Sequence, residues 1–354
     1  MHQRSEQEIM KNWKGDIDKP IVSVCCVTYN HEEYISDALD GMLMQETDFP
    51  FEIIVRDDAS SDNTANIIKE YENKYPDIIK PMYEKENGYQ KGIKIIITAI
   101  KNAKGKFIAL CEGDDYWIDS KKLQKQMKAM NQNSSCNICF NPAYLVFGQT
   151  LSDTVFGVNV KENKIFTVSD VVGGGGGFMP TASLMIRKKV FDNLPEIFFR
   201  FPNGDYITQI LASLEGGAIY INEIMCIYRR EVASSWSNKM KNIDVRREHL
   251  NKVIKSRKEL NAFLEYKYED EILSLVNKEY YSLAKEYLKK KLFNDFEDLY
   301  KLYSSNCQNK KLWVRLAFLI GTFTKSYYLV HGFHEIFIKK DSKILSRIIK
   351  KFKG

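Results

Sequence analysis

A chain of 354 residues has room for two domains, or for one large domain with an extension. With 44% hydrophobic and 28% charged residues and no twenty-residue apolar span, it reads as a soluble globular protein, which argues against disordered, collagenous and membrane-spanning classes. The net charge of +6 is uneven: residues 310–354 hold eleven Lys/Arg against two acids, so residues 1–309 are net negative and a basic nucleic-acid groove is disfavoured.

The first eighteen residues are polar and charged, without the apolar core of a signal peptide, and read as an N-terminal tail. "PIVSVCCVTYN" (20–30) is an apolar, β-rich run that predicts a buried strand. Asn30 is a candidate cap for a helix over 32–45, where Ile35, Leu39, Met42 and Leu43 recur at helical spacing. "FEIIVRDD" (51–58) predicts a second strand ending in acids, followed by a polar loop and a helix that stops before Pro76. A third strand is expected over 79–84, a buried helix over 92–103, a fourth strand in "KFIALCE", and a helix over 120–130 capped by Ser120. This alternation predicts an α/β architecture, a mainly parallel sheet flanked by helices. Ligands bind such sheets at the carboxyl ends of the strands. Here those ends carry Thr28-Tyr29-Asn30, Asp57-Asp58 and Glu112 with Asp114-Asp115.

Past residue 137 the order changes. Strand-like pieces mix with loops, and five glycines, Gly173 to Gly177, read either as a floppy surface loop or as a lid over a site. Residues 242–303 are helical, charged and amphipathic. At the end, Ile344, Leu345, Ile348, Ile349 and Phe352 form one apolar helical stripe among Lys343, Arg347, Lys350, Lys351 and Lys353. That pattern suits an anionic membrane surface, or a helix packed on the domain with a solvated basic face.

The seven cysteines are an odd number scattered in apolar runs, which reads as reduced thiols in a cytoplasmic compartment. Cys136 and Cys139 make a lone CxxC, better read as core than as a metal site, and His331 and His334 lack partners for zinc.

The most chemical segment is "CEGDDYW" (111–117). On an extended strand Glu112 and Asp114 share one face and Asp115 takes the other. Two carboxylates on one face form half a shell for Mg²⁺ or Mn²⁺, with water and substrate phosphates completing it. Tyr116 and Trp117 would either floor a sugar pocket or belong to the core. Asp205, in "NGDYITQ", is a helix N-cap by its position.

Three ordered blocks, "VSVCCVTYNHEEYISDAL", "FEIIVRDDASSDNTANIIKEY" and "KFIALCEGDDYWIDSKKLQKQ", resemble the opening of glycosyltransferase family 2, enzymes of the GT-A fold. A weaker likeness runs through "MPTASLMIRKKVF" and "FPNGDYITQILAS" to about residue 236. The resemblance implies a GT-A domain over 19–236, with a nucleotide-sugar half (19–118) and an acceptor half (119–236), and a helical C-terminal region with a basic tail over 237–354. It implies an inverting, metal-dependent hexosyltransferase using a nucleotide-sugar, most often a UDP-sugar. Thr28, Tyr29, Asn30, Glu33, Asp57, Asp58, Lys91, Glu112, Asp115 and Trp117 would bind the donor, Asp114 with Glu112 the Mn²⁺ or Mg²⁺, and Asp205 would be the general base. Glu112 stands where the family's DxD motif usually has its first Asp. The family's His after a Tyr-Arg pair is also missing, since Arg230-Glu231 follows Tyr228-Arg229, so Arg229 or Arg230 is expected to meet phosphate instead.

The implied acceptor is a glycan, lipid-linked at the cytoplasmic face of a bacterial inner membrane, as in O-antigen or capsule assembly, with the tail giving peripheral contact. A catalytically inactive nucleotide-binding or membrane-scaffold relative is the alternative. No G-x-G-x-x-G follows a strand, which argues against a dinucleotide enzyme. "TYNHEEY" also lacks the glycine-rich basic loop of a nucleotidyltransferase.

Overall fold

The computed structural model describes residues 4–306 except 149, 159, 231 and 233–235. The chain divides into two compact units, Met1–Lys239 and Met240–Gly354. The basic stripe of the tail and the His331/His334 pair lie outside the described residues.

In the first unit the elements run α1 (Glu6–Met10), β1 (Val22–Thr28), α2 (Ile35–Leu43), β2 (Phe51–Asp57), α3 (Thr64–Lys74), β3 (Ile79–Tyr83), α4 (Ile95–Asn102), β4 (Phe107–Leu110), β5 (Tyr116–Trp117) and α5 (Lys122–Gln132). Then come β6 (Ile138–Phe140), β7 (Ala143–Phe147), β8 (Thr150–Phe156), β9 (Lys164–Phe166), α6 (Val168–Gly174), β10 (Met185–Arg187), α7 (Glu196–Arg200), α8 (Gly204–Ser213), β11 (Ala218–Tyr220), β12 (Cys226–Arg230) and α9 (Trp236–Lys239).

An eight-stranded sheet has the order β3-β2-β1-β4-β10-β6-β11-β9. β3, β2, β1 and β4 are mutually parallel, in a register that sets Thr28 opposite Asp57 and Cys25 opposite Leu110. Their carboxyl ends therefore meet along one edge. β10 is antiparallel to both β4 and β6. A smaller sheet, β5-β12-β7-β8, stands beyond β4. The sheet strands read as apolar runs because they are covered on both faces: β2 and β4 are buried at every position.

Two caps differ from the sequence reading. α2 starts at Ile35 rather than after Asn30, whose side chain instead accepts from Ser61 N at 2.8 Å. Lys121, with no side-chain cap bond, precedes α5 where Ser120 was expected. The N-terminal stretch, expected as a tail, is fastened to the domain. Ser5 and Glu8 form a capping box, Glu6 Oε1 accepts from Asp77 N and Ile78 N (2.8 and 3.0 Å), and Ile9 is buried in the core. Cys25, Cys26, Cys111, Cys136, Cys139 and Cys226 are all buried thiols, so the CxxC is core as expected.

The second unit contains α10 (Ile243–Phe263), α11 (Glu269–Lys289) and α12 (Phe293–Asn306). α10 is capped by Asn242, which accepts from Asp244 N and Val245 N. Leu250, Ile254, Tyr280, Leu283, Tyr287, Leu299 and Tyr303 form its core. Among the described residues no helix is long and apolar enough to cross a membrane.

Candidate functional site

The carboxyl edge of β1, β2 and β4 gathers most of the sequence-predicted residues. At the end of β1, Thr28 is buried and its carbonyl accepts from Asp58 N at 2.9 Å, which ties the β1 and β2 ends together. Tyr29 is half-buried. Asn30 adopts a positive φ of 54°, in the region asparagine tolerates better than most residues. It receives Ser61 N and donates its own N–H to Ser60 Oγ at 2.9 Å. Ser60 in turn holds Asp57 through both its N–H (3.3 Å) and its hydroxyl. Burial raises the Asp57 carboxyl above its usual range, against the lowering effect of Ser60. Glu33 is exposed beside Tyr34. Lys91 is also exposed and paired with Glu86.

Asp58 does something different from its neighbour. It is fully buried, lies 2.9 Å from Arg56 Nη1, and accepts the backbone N–H groups of Gly88 and Tyr89, each at 3.0 Å. Its carboxylate therefore positions the 87–89 loop and is not directed at a ligand, a correction to the donor-contact expectation.

Past β4 the backbone turns, with Asp115 N donating to Glu112 O at 3.1 Å, and does not continue as a strand. The alternation of faces nonetheless holds. Glu112 is half-buried and its carboxyl is pushed up to about 8, by burial first, then by Asp114, then by Asp205. Asp205 sits in the first turn of α8, far along the chain, yet near enough to Glu112 for its charge to raise that carboxyl. Asp114 is half-buried and its Oδ2 lies 3.9 Å from His31 Nε2. Burial lowers the His31 imidazole, and Asp114 acts in the opposite direction.

Asp115 and Trp117 do not join this group. Asp115 is buried and its Oδ1 accepts from Arg229 N at 2.9 Å, while burial and its acidic neighbours push its carboxyl well up. Trp117 is 1% exposed, donates Nε1 to Ala182 O at 2.8 Å, and carries Lys122 Nζ 4.1 Å from its ring centroid. Both expectations of direct donor contact are corrected: the first residue braces a strand and the second is core. Arg229 is likewise not a phosphate ligand here. Its guanidinium donates to Asp114 O at 2.9 Å and to Asp37, and lies 4.4 Å from the Tyr116 ring centroid. It clamps the acidic turn from behind.

Asp205 is solvent-accessible, and Asn203 rather than Asp205 holds the cap position. Its Oδ1 accepts from Tyr206 N at 2.8 Å. Partial desolvation raises its carboxyl, outweighing the lowering by that N–H and by Lys94. Of its two neighbours, Lys94 was not singled out from sequence and Gly176 was marked only as part of the glycine run. Lys94 donates to Phe201 O at 2.5 Å and its Nζ would stand 3.6 Å from a Cβ on Gly204. Gly176 would place a Cβ 3.2 Å from Asp205 Oδ2. The glycine run ends α6 at Gly174, turns at Gly175 with φ 73°, and brings Gly176 beside Asp205. Isolated lysine and histidine residues carry no sequence signal of this kind, because only the fold brings them to the acids.

The comparisons can now be set beside this geometry. Residues 23–194 match the family described as glycosyl transferase family 2. This stretch is a glycosyl transferase family 2 domain. Relatives include TuaG of Bacillus subtilis, named as a putative teichuronic acid biosynthesis glycosyltransferase, 35% identical over 35% of this chain and 46% of its own. An uncharacterized protein of Mycobacterium tuberculosis is 33% identical over 217 residues, which are 61% of this chain and 60% of that one. The chain thus spans about three-fifths of the length of these mycobacterial relatives. Among solved structures, the mannosyltransferase PcManGT of Pyrobaculum calidifontis, in complex with GDP-Man and Mn²⁺, superposes with a TM-score of 0.51 at 14% identity, covering 92% of this chain and 91% of that one. The fold is GT-A, with its central sheet flanked by helices, as the sequence implied.

The acid set suits a divalent cation. Glu112 and Asp114 supply hard oxygen donors, and the carboxyl of Glu112 is raised first by burial and then by the charges of Asp114 and Asp205. Among the described residues no group of three or more His, Cys, Asp or Glu side chains is placed to hold a metal ion, so Glu112 and Asp114 would supply only part of a shell that water and phosphate oxygens complete.

Proposed function

We propose that this chain is an inverting, metal-dependent glycosyltransferase that moves a sugar from a nucleotide-sugar, a UDP-sugar in the first instance, to a hydroxyl of a glycan acceptor. The observation that carries the reading is that Glu112 and Asp114 stand together past the end of β4 and that Glu112 also feels the carboxylate of Asp205 at the start of α8. Residues 19–118 would hold the donor, with Thr28, Tyr29, Asn30, Glu33, Asp57 and Lys91 around the nucleotide, and residues 119–236 the acceptor.

In this mechanism Asp114, with Glu112, would hold Mn²⁺ or Mg²⁺. When bound, the cation would offset charge developing on the leaving diphosphate. Asp205 accepts the proton of the acceptor hydroxyl, and its raised carboxyl suits a base working nearer neutrality than an ordinary aspartate. The freed oxygen attacks the anomeric carbon from the face opposite the diphosphate, and one displacement inverts that centre. Asp57 and Asn30 fix the nucleotide edge through the Ser60-Ser61 turn, and Arg229 keeps the acidic turn in place. Holding both substrates in one cleft supplies the orientation the reaction needs.

The family 2 domain and the naming of TuaG support a role in bacterial surface polysaccharide assembly, O-antigen or capsule among them. A lipid-linked acceptor and peripheral contact of the basic tail with the cytoplasmic face of the inner membrane complete the proposal. Calorimetry of UDP binding with and without Mn²⁺ tests the core of it. Binding that needs Mn²⁺ and vanishes in Asp114→Ala supports the reading. Binding of GDP or TDP instead changes the donor, and no nucleotide binding refutes the transferase. Deletion of residues 310–354 is expected to abolish binding to anionic liposomes, and unchanged binding would remove the membrane part.

A further inference from the structure

We propose that His31 is a ligand of the divalent cation, binding through Nε2 alongside Asp114; this rests on the metal-dependent reading above. His31 follows β1 by three residues and its backbone is fixed on both sides. Its N–H donates to Thr64 Oγ1 at 2.8 Å, and its carbonyl accepts from Tyr34 N and Ile35 N at 2.9 and 2.8 Å. The residue is only 9% exposed, so the ring has little freedom to turn elsewhere.

The ring nitrogens are the point of interest. Nε2 faces Asp114 Oδ2 at 3.9 Å, beyond hydrogen-bonding distance. Nδ1 is buried without a partner. Buried polar atoms are normally satisfied, so a ring whose Nε2 stops short of a carboxylate and whose Nδ1 has no partner points to a group bound at Nε2 beside Asp114, with Nδ1–H then turned to an acceptor. Neighbouring ligands about 2.1 Å from one Mg²⁺-sized ion at right angles are about 3 Å apart. Closing 3.9 Å to that spacing needs side-chain movements of about 1 Å in total.

The far side of the ring supports the same assignment. A ligating histidine donates its other N–H to an acceptor that orients it. Thr28 Oγ1 is also buried and unpartnered. A Cβ built on Gly113 would lie 2.5 Å from Thr28 Oγ1 and 3.0 Å from His31 Nδ1, so both orphaned atoms border the space left by that missing side chain. Gly113 thereby leaves room for Thr28 Oγ1 to accept from Nδ1–H when Nε2 binds. A nitrogen donor beside carboxylates favours Mn²⁺ over the harder Mg²⁺. The site is therefore a Mn²⁺-preferring one, with Thr28 as the residue that positions the histidine.

The test uses the full chain with Mn²⁺ and UDP, and pulsed electron paramagnetic resonance on protein carrying ¹⁵N-histidine. The expected result is a ¹⁵N coupling to Mn²⁺ that disappears in His31→Gln, together with a loss of Mn²⁺ affinity of about 10- to 100-fold and a loss of preference for Mn²⁺ over Mg²⁺. The labelled wild-type spectrum requires no substitution, so a poorly folded variant does not stall the test. A wild-type spectrum without histidine coupling overturns the inference. So does a coupling that persists in His31→Gln, which would come from one of the other four histidines. Asp114→Ala separates the two levels. If it leaves Mn²⁺ binding intact, the metal reading itself falls; if it abolishes binding while His31→Gln changes nothing, only His31 is wrong.

Discussion

Asp58→Asn offers a direct check on how the 87–89 loop is held. In the native chain one fully buried carboxylate faces Arg56 Nη1 at 2.9 Å and accepts two backbone N–H groups at 3.0 Å. The amide keeps the shape but loses the charge, and its NH₂ must face a donor, either an N–H of the loop or the guanidinium. Removing one partner of a buried ion pair costs about 3–5 kcal/mol. Arg56 is not left alone, because Glu84 Oε1 lies 3.1 Å from its Nε, so the lower end applies. A loss of about 3 kcal/mol corresponds to roughly 100-fold in the opening equilibrium. Amide hydrogen exchange at Gly88 and Tyr89 should accelerate by that order, with a matching shift in the urea midpoint. Exchange unchanged at both amides, with stability within about 0.5 kcal/mol of wild type, would refute the assignment of Asp58 to the loop.

Three further outcomes follow from the same geometry. Glu112, raised to about 8, holds its proton more tightly folded than unfolded, so its stabilising contribution is complete below about 4.5 and lost as pH rises through about 8. In EDTA the melting temperature should fall across that window in wild type and stay flatter in Glu112→Gln; parallel curves would contradict this. Gly41→Ala would set a Cβ 2.7 Å from Trp117 O and 2.8 Å from Trp117 N, both backbone. Overpacking of about 1–3 kcal/mol exceeds a helix-propensity gain of about 1 kcal/mol, so a lower melting temperature is expected and a rise would count against the packing described. Arg229→Met removes the clamp on Asp114 O but keeps the backbone bond to Asp115, so UDP–Mn²⁺ affinity should drop about 10- to 100-fold with unchanged far-UV circular dichroism; calorimetry giving wild-type affinity would show the clamp to be dispensable.

The nucleotide half of the fold was legible because its strands are local objects. A buried parallel strand such as β2 must be an uninterrupted apolar run, and the polar residues that end it mark the ligand edge. The polar end of β1 and the acids at the β2 and β4 ends were found by that logic. Their individual roles were not, since sequence spacing does not reveal which side chain a strand end turns inward. Asp58 and Asp115 look like ligands by composition, yet each is occupied by backbone N–H groups from distant segments. Trp117, left open between a sugar platform and the core, is core, and Gly41 of α2 packs against its backbone. His31 and Lys94 escaped notice for the converse reason: each becomes chemical only through a residue more than eighty positions away.

The buried thiols have a practical consequence. Cys25, Cys26 and Cys111 lie in the strand and turn beneath the acids, and burial pushes all three well above the usual thiol range. Thiolate is the form that reacts, so in the native state these side chains are silent toward alkylating dyes. They become visible only when the sheet beneath the cleft comes apart. The protein therefore contains its own opening counter: the rate at which these positions take up a label measures how often that sheet separates, and a ligand that grips the cleft from above will slow it.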